Sequence, residues 1–175
     1  MSHETIHVIL VDENNTPVGT MEKLEAHQKG ALHRAISVYI FDDQRNLLMQ
    51  KRAASKYHCG GLWTNTCCGH PLPGEDSLNA AMRRLSEEMG IACPLEQQFD
   101  FRYRTELSNG LVENEYGHIY FGKYNEAPLL NPIEADDFIY VSLPALQKQI
   151  DADPGKFTPW FKLVIPKVLQ HLPAF

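Results

Sequence analysis

GHPLPGEDSLNAAMRRLSEEMGI, residues 69 to 91, lays a turn, a short loop and an amphipathic helix end to end. Pro71, Pro73 and Gly74 punctuate the loop. Glu75, Asp76 and Ser77 then place acceptors and negative charge where a helix begins and its first N–H groups lack partners. The spacing predicts a helix over Ser77–Met89. Leu78, Met82, Leu85 and Met89 recur at the interval of one buried face, Ala80, Ala81, Arg84 and Glu88 run along a neighbouring face, and Gly90 is positioned to end the helix. One face is expected to pack while the other does chemistry. The pairs Arg83 with Glu87 and Arg84 with Glu88, four apart, would equally suit an ordinary surface helix.

Outward from that stretch, 175 residues that are 43% hydrophobic and 22% charged suit one domain with a sizeable core. A net charge of −6 argues against nucleic acid or an anionic membrane as the main partner, although a phosphate ligand needs only a local basic patch. The opening MSHETIHVILVDENN has no basic leader region and nowhere is an apolar run long enough to span a bilayer, so the chain reads as soluble and cytosolic. The four cysteines, Cys59, Cys67, Cys68 and Cys93, follow no zinc-ribbon spacing and read as free thiols of a reducing compartment.

The remaining elements follow from period and turn chemistry. Strand, turn and strand are expected from residue 6 onward, with a short helix at 21–28. A strand at 35–41, a hairpin turn at 42–46 and a partner strand at 47–51 come next. A basic loop, Arg52-Ala53-Ala54-Ser55-Lys56, leads through Gly60-Gly61 to a short strand at 62–65. Alternation over 99–105 and the long strand at 112–124, joined by Ser108-Asn109-Gly110, predict a hairpin. A last strand at 137–141 precedes helices at Leu143–Ala152 and 159–172, the second opened by Thr158 as cap and Pro159 at its first position. Mixed strands with helices on both sides make an α/β fold, an α/β/α sandwich around a mixed β-sheet.

Several residues carry chemistry by spacing alone. Glu113 and Glu115 project from one face of a strand, and Cys68 and His70 are likewise two apart. With His27 and His33 they could give three imidazoles and two carboxylates around one divalent cation, a five-ligand set that suits manganese or magnesium, with zinc the alternative. Taken alone, His27 and His33 read better as ordinary histidines, and His7 and His171 show no constellation.

Gly69, Glu75 and the run Arg83-Arg84-Leu85-Ser86-Glu87-Glu88-Met89-Gly90-Ile91 together resemble the Nudix box, the loop-helix signature of enzymes acting on diphosphates. In that family's hydrolases the residue after the arginine is a metal-binding glutamate, and here it is Arg84. A guanidinium clamps phosphate oxygens and repels metal, which implies a diphosphate held but not cut.

Other stretches resemble type I isopentenyl diphosphate isomerases, in order and in register. These are Glu22 to His27, Leu32-His33, Arg52 to Lys56, Trp63 to Pro71, Phe101 to Arg104, Glu113-Asn114-Glu115 and Thr158-Pro159-Trp160, and they cover nearly the whole chain. Cys67 stands where other small residues would do. The resemblance implies a single Nudix-like domain over 1–175 and a reversible 1,3-allylic proton shift between isopentenyl and dimethylallyl diphosphate. It implies Cys68 and Glu115 as the acid-base pair, Trp160 as a π-face stabiliser of a carbocation, and Tyr103 as a hydrogen-bond partner that keeps Glu115 protonated. It assigns the diphosphate to Lys23, Arg52, Lys56 and Arg84, a bridging magnesium to Glu88, and the second metal to His27, His33, His70, Glu113 and Glu115. Without the resemblance, Trp160 reads as core and Tyr103 equally as the apolar face of a strand. A Nudix pyrophosphohydrolase and a non-catalytic metal- or nucleotide-binding module stand as rivals, distinguished by Arg84 and by whether Cys68, Glu113 and Glu115 are dispensable.

Overall fold

In chain order the described residues form β1 (His7–Val11), β2 (Pro17–Glu22), α1 (Lys23–Lys29), β3 (His33–Phe41), β4 (Leu47–Arg52), β5 (Trp63–Thr64), β6 (Cys67–Gly69), α2 (Ser77–Met89), β7 (Leu95–Glu106), β8 (Val112–Lys123), β9 (Ala135–Val141), α3 (Leu143–Ala152) and α4 (Pro159–Gln170). The structure is a computed structural model and describes residues 5–172; the ends of the expected 1–175 domain lie outside these.

β3 is the axis of the sheet. Its sequence HRAISVYIF is β-branched and aromatic through the middle and largely buried, as a strand covered on both faces should be. One edge pairs in parallel with β8 from His33↔Glu115 to Phe41↔Lys123. The other edge is shared by three antiparallel partners, β1 at Leu10↔His33, β6 at Ser37↔Cys68 and β4 at Phe41↔Leu47. With β2 on β1, β7 on β8, and β5 and β9 on β4, the result is a nine-stranded mixed sheet. Alternation along β3 then builds two cores. Ile36, Val38 and Ile40 pack with Ala80, Ala81, Leu85 and Met89 of α2. Tyr39 and Phe41 pack on the opposite face with Trp160, Phe161, Val164 and Val168 of α4 and Leu146 of α3. The expected α/β/α sandwich is the observed one.

The α2 boundaries match the expectation. Asp76 caps it, accepting from the Asn79 N–H, and Gly90 closes it in the left-handed region with φ 63°. Its buried face does not match. Ala80, Ala81, Leu85, Glu88 and Met89 are inside, whereas Leu78 and Met82 are 36% and 45% exposed. Two alanines let the helix axis come close to the sheet, and that rotates the larger side chains to the rim.

Two further expectations change. The 42–46 turn forms, with the Asp42 carboxylate accepting from the Gln44 and Asn46 N–H groups. The strands it joins meet only at Phe41↔Leu47, because β6 occupies the edge of β3 while β4 pairs along its length with β9. Thr158 stands at the cap position of α4 in extended conformation, but its hydroxyl donates to Thr64 Oγ1 at 3.0 Å instead of capping the helix. Among the described residues no helix is long and apolar enough to cross a membrane.

Candidate active site

The parallel β3–β8 register sets His33 beside Glu115, and the two-residue period brings Glu113 to the same face. The chain leaving β6 delivers His70. α1 delivers His27, its start held by the Glu22 carboxylate, which accepts from the Leu24 and Glu25 N–H groups. His27 Nδ1 donates to the Lys23 carbonyl at 2.7 Å and His33 Nδ1 to the Ala31 carbonyl at 2.8 Å. Each ring is thereby fixed with Nε2 bare and turned inward.

The ligand atoms of His27, His33, His70 and Glu115 lie within 4.8 Å of one another. Glu115 Oε1 is 3.0 Å from His70 Nε2 and 3.4 Å from His33 Nε2, and Glu113 Oε2 is 3.5 Å from His27 Nε2. His27 Nε2, His33 Nε2 and Glu113 Oε2 are buried without a hydrogen-bond partner. An unsatisfied buried polar atom costs about 1–3 kcal/mol. Three of them converging among imidazoles and carboxylates fit a divalent cation, which would satisfy all at once. Four of the five residues expected at the metal, His27, His33, His70 and Glu115, therefore converge, and Glu113 stands beside them, its Oε2 3.5 Å from His27 Nε2.

The electrostatics follow from burial and company. Burial, with the nearby charges of His33 and Lys23, pushes His70 well below the ordinary imidazole range. Burial also acts to lower His27, but its Glu113 neighbour and its bond to the Lys23 carbonyl outweigh that and raise it. For Glu115 burial acts upward and is overcome by the contacts with His33 and Glu113 and by the charges of His33 and His27, which bring the carboxyl to about 2. Tyr103 lies opposite Glu115 across the β7–β8 pair and its hydroxyl donates to Oε2 at 2.9 Å. The hydrogen bond is the expected one. Its consequence is not, because the imidazoles beside Glu115 keep it an anion where Tyr103 was expected to hold it protonated.

On β6, alternation sends Cys67 into the core against α2 and Cys68 to the other face. Burial pushes the Cys68 thiol up to about 12, so it is neutral near pH 7. Its Sγ lies 3.2 Å from Asn65 Oδ1 and 3.5 Å from the Ser37 hydroxyl. The Asn65 amide is oriented by donating to the Val38 and Cys67 carbonyls, so an acceptor faces the thiol and fixes its proton. Cys68 and Glu115 thus come from strands on the two edges of β3 and line one cavity of about 140 Å³. Trp160, 5% exposed, belongs both to the core and to the wall of that cavity.

The cavity also has a cationic wall. Lys23, Arg52, Lys56 and Arg84 all line it. Arg84 bonds Glu87 at 2.6 Å, Glu88 at 2.5 Å and Glu134 at 3.2 Å, and these acids, against the effect of burial, hold it charged. It reaches the cavity past Gly69, where a β-carbon would stand 2.7 Å from Arg84 Cγ. Lys56 pairs with Glu134 at 2.6 Å, and the Arg52 guanidinium lies 5.2 Å from the Trp160 ring centre. Burial lowers Lys23, as do the charges of Lys56 and Arg84. Glu88 lines the same wall with both oxygens engaged, Oε1 by Arg84 and Oε2 by Gln50 Nε2 at 2.8 Å.

Sequence reasoning missed His58, Gln50, Asn65 and Glu134. Glu134 follows an Asn-Pro turn, and no spacing ties it to Lys56 or Arg84. His58 precedes Gly60-Gly61, and that glycine pair was the one local sign that the loop bends back on the cavity.

A NUDIX domain model matches residues 31–161. A protein named Isopentenyl-diphosphate Delta-isomerase from Pectobacterium atrosepticum is 51% identical over 96% of this chain and 94% of its own. Isopentenyl-diphosphate Delta-isomerase 1 from Aromatoleum aromaticum is 51% identical over 93% of this chain and 92% of its own. Among solved structures, DR0079 from Deinococcus radiodurans superposes with a TM-score of 0.75 at 17% identity, covering 91% of this chain and 98% of that one, a likeness of fold alone.

Proposed function

The chain belongs to the NUDIX family, among its isopentenyl-diphosphate Delta-isomerases, and from that premise we propose that it interconverts isopentenyl and dimethylallyl diphosphate by a 1,3-allylic proton shift. The observation that supports this most is a neutral, buried thiol and an anionic carboxylate arriving from opposite edges of one strand into a single cavity. An alkene carbon takes a proton to give a tertiary carbocation, and a proton leaves the carbon on its other side, so the double bond moves and the proton count is unchanged. Cys68 has a proton to give and Glu115 has room to take one, and in the reverse direction the roles exchange.

Trp160 presents a π face that stabilises the cation without bonding to it, where water would trap it as an alcohol. Tyr103 holds the Glu115 carboxylate in place. Lys23, Arg52, Lys56 and Arg84 take the diphosphate. A divalent ion on His27, His33, His70, Glu113 and Glu115, manganese or magnesium with zinc the alternative, would fix the carboxylates and tune their basicity. Glu88 would hold a magnesium that offsets the diphosphate charge only by exchanging the Arg84 and Gln50 partners that now engage its two oxygens. On this reading residues 1–175 act as one cytosolic domain on a small isoprenoid diphosphate, with no nucleic acid or membrane partner.

The test is incubation with isopentenyl diphosphate and magnesium. The allylic isomer is expected, with no release of phosphate or pyrophosphate. Release without isomer would transfer the chain to the hydrolases despite Arg84.

A further inference from the structure

His58 belongs to none of the groups assigned above, yet it lies against them. Its Nε2 stands 3.2 Å from Glu113 Oε1, with the two side chains only 9% and 4% exposed. The two oxygens of Glu113 are therefore in different company. Oε1 faces His58, and Oε2, without a partner, is turned toward His27 Nε2 at 3.5 Å. His58 Nδ1 is buried and has no partner, while an ionised carboxylate can only accept. Nε2 is therefore the ring nitrogen that meets the carboxylate, at ion-pair distance from Oε1.

The loop is bent to achieve this. Cys59 adopts φ 52°, a left-handed conformation that a residue with a side chain rarely takes, and a β-carbon on Gly60 would come within 2.7 Å of the Ala54 carbonyl oxygen. Backbone conformations of this kind cost free energy and persist where the surroundings hold them. Here the turn is closed by Gly61 N–H to the Arg52 carbonyl at 2.9 Å and Leu62 N–H to the Cys59 carbonyl at 3.3 Å. The His58 ring is gripped between Tyr57 and Trp160, with ring centres 4.5 and 5.7 Å away.

We propose that His58 is a positioning residue for Glu113: by donating to Oε1 it leaves Oε2 as the single oxygen offered to the metal and fixes the angle at which it is offered. Like Glu113, it stands outside the group of His27, His33, His70 and Glu115 that converge within 4.8 Å, and its polar contact with the cluster runs to Glu113 Oε1, which makes it a support of Glu113. The inference rests on the metal-binding reading of the cluster. Carboxylate ligands are commonly held by such a donor, and loss of that donor typically weakens metal binding by about 10–100-fold.

The test is a titration of metal-stripped protein with Mn²⁺, the free ion being read by electron paramagnetic resonance. His58→Phe keeps the ring packing and removes the donor, and it should weaken binding by about 10–100-fold. His58→Gln, which carries an N–H to a similar reach, should recover most of the loss, and the shorter His58→Asn should not. If the phenylalanine variant does not fold, the glutamine and asparagine pair still separates loss of the donor from its retention. In a Glu113→Gln background, His58→Phe should cost nothing more. Wild-type affinity in His58→Phe, equal affinities in the glutamine and asparagine variants, or an undiminished loss in the Glu113→Gln background would each overturn the assignment. If His27→Ala and Glu113→Gln themselves bind Mn²⁺ as tightly as wild type, the metal reading fails first, and that outcome is distinct from a failure confined to His58.

Discussion

The two ends of the cavity treat their charges differently. At the histidine end, His27 Nε2, His33 Nε2 and Glu113 Oε2 are buried with no partner. At the cationic end Arg84 lies against Glu87, Glu88 and Glu134, and Lys56 against Glu134. A cluster of unsatisfied buried atoms is costly alone, so an ion bound there should add to the stability of the fold. Where Arg84 and Lys56 are already neutralised the wall costs little alone, and an incoming anion must take those two cations from glutamates, whereas Arg52 keeps a buried Nε without a partner. One end is a preformed demand for a guest, and the other is an exchange of partners.

The largest effects should come from the residues between the two ends. Removing a positioned acid or base usually costs about 10²–10⁴-fold. Cys68→Ser and Glu115→Gln should exceed that range, because no water can substitute beside a tertiary carbocation without quenching it. Wild-type enzyme in deuterated buffer should place solvent deuterium in the allylic product, and both variants should nearly abolish it. Wild-type exchange in Cys68→Ser would make the thiol a bystander, since serine keeps the shape but loses the acidity.

Next in size is the histidine end. His27→Ala should weaken metal binding by at least an order of magnitude, about what loss of a ligand's support costs, and should lower the melting temperature more when metal is present than when it is absent, where only the buried ring and its bond to the Lys23 carbonyl are lost. Ligation needs the neutral imidazole. His27, raised above its ordinary value by Glu113, takes up a proton sooner than a free histidine as pH falls, so metal should be lost from just above the usual histidine range downward. His70, depressed by burial, resists protonation over the same interval. Occupancy that is flat from pH 8 to 5 would remove His27 from the ligand set.

At the cationic end two variants should act in opposite directions. Arg84→Glu replaces a charge-assisted donor by a repelling carboxylate. With about 1.5–3 kcal/mol per such bond, the Michaelis constant should rise roughly 10–100-fold, with trace hydrolysis as the outcome to look for. An unaltered Michaelis constant would remove Arg84 from the diphosphate wall. Glu134→Gln should do the reverse. It frees Lys56 and Arg84 from a competing anion, and since partly exposed pairs are worth about 0.2–1 kcal/mol, the Michaelis constant should fall at most about fivefold, more at low salt than at high. A rise would mean that Glu134 holds the cations in place instead of competing for them.

Which parts of this were legible beforehand has a physical pattern. The limits of α2 were plain because Asp76 and Gly90 are local signals, and the limits of α3 likewise. Glu113, Glu115, Cys68 and His70 were legible because a strand has a fixed period of two. The buried face of α2 was not, since Leu78 and Met82 outweigh Ala80 and Ala81 in hydrophobicity while the close approach to the sheet selects for size. The hairpin at 42–46 failed because pairing is decided by which strand occupies an edge, and β6 arrives from more than twenty residues away. Glu134 and His58 were invisible because each matters only through a partner distant in sequence. The anionic state of Glu115 depends on how many imidazoles surround it, and that is a property of the assembled site.

Gly69 constrains the order in which this protein could change. Its missing β-carbon is the gap through which the Arg84 side chain crosses from the helix layer to the cavity, with 2.7 Å where an alanine methyl would sit. The two positions are therefore not free to drift separately. A lineage that gained any side chain at 69 first would lose the use of the arginine before replacing it, whereas one that shortened residue 84 first would leave position 69 open to almost anything small. The glycine is held in place by a side chain fifteen positions further along the chain, and the history of one should be written in the other.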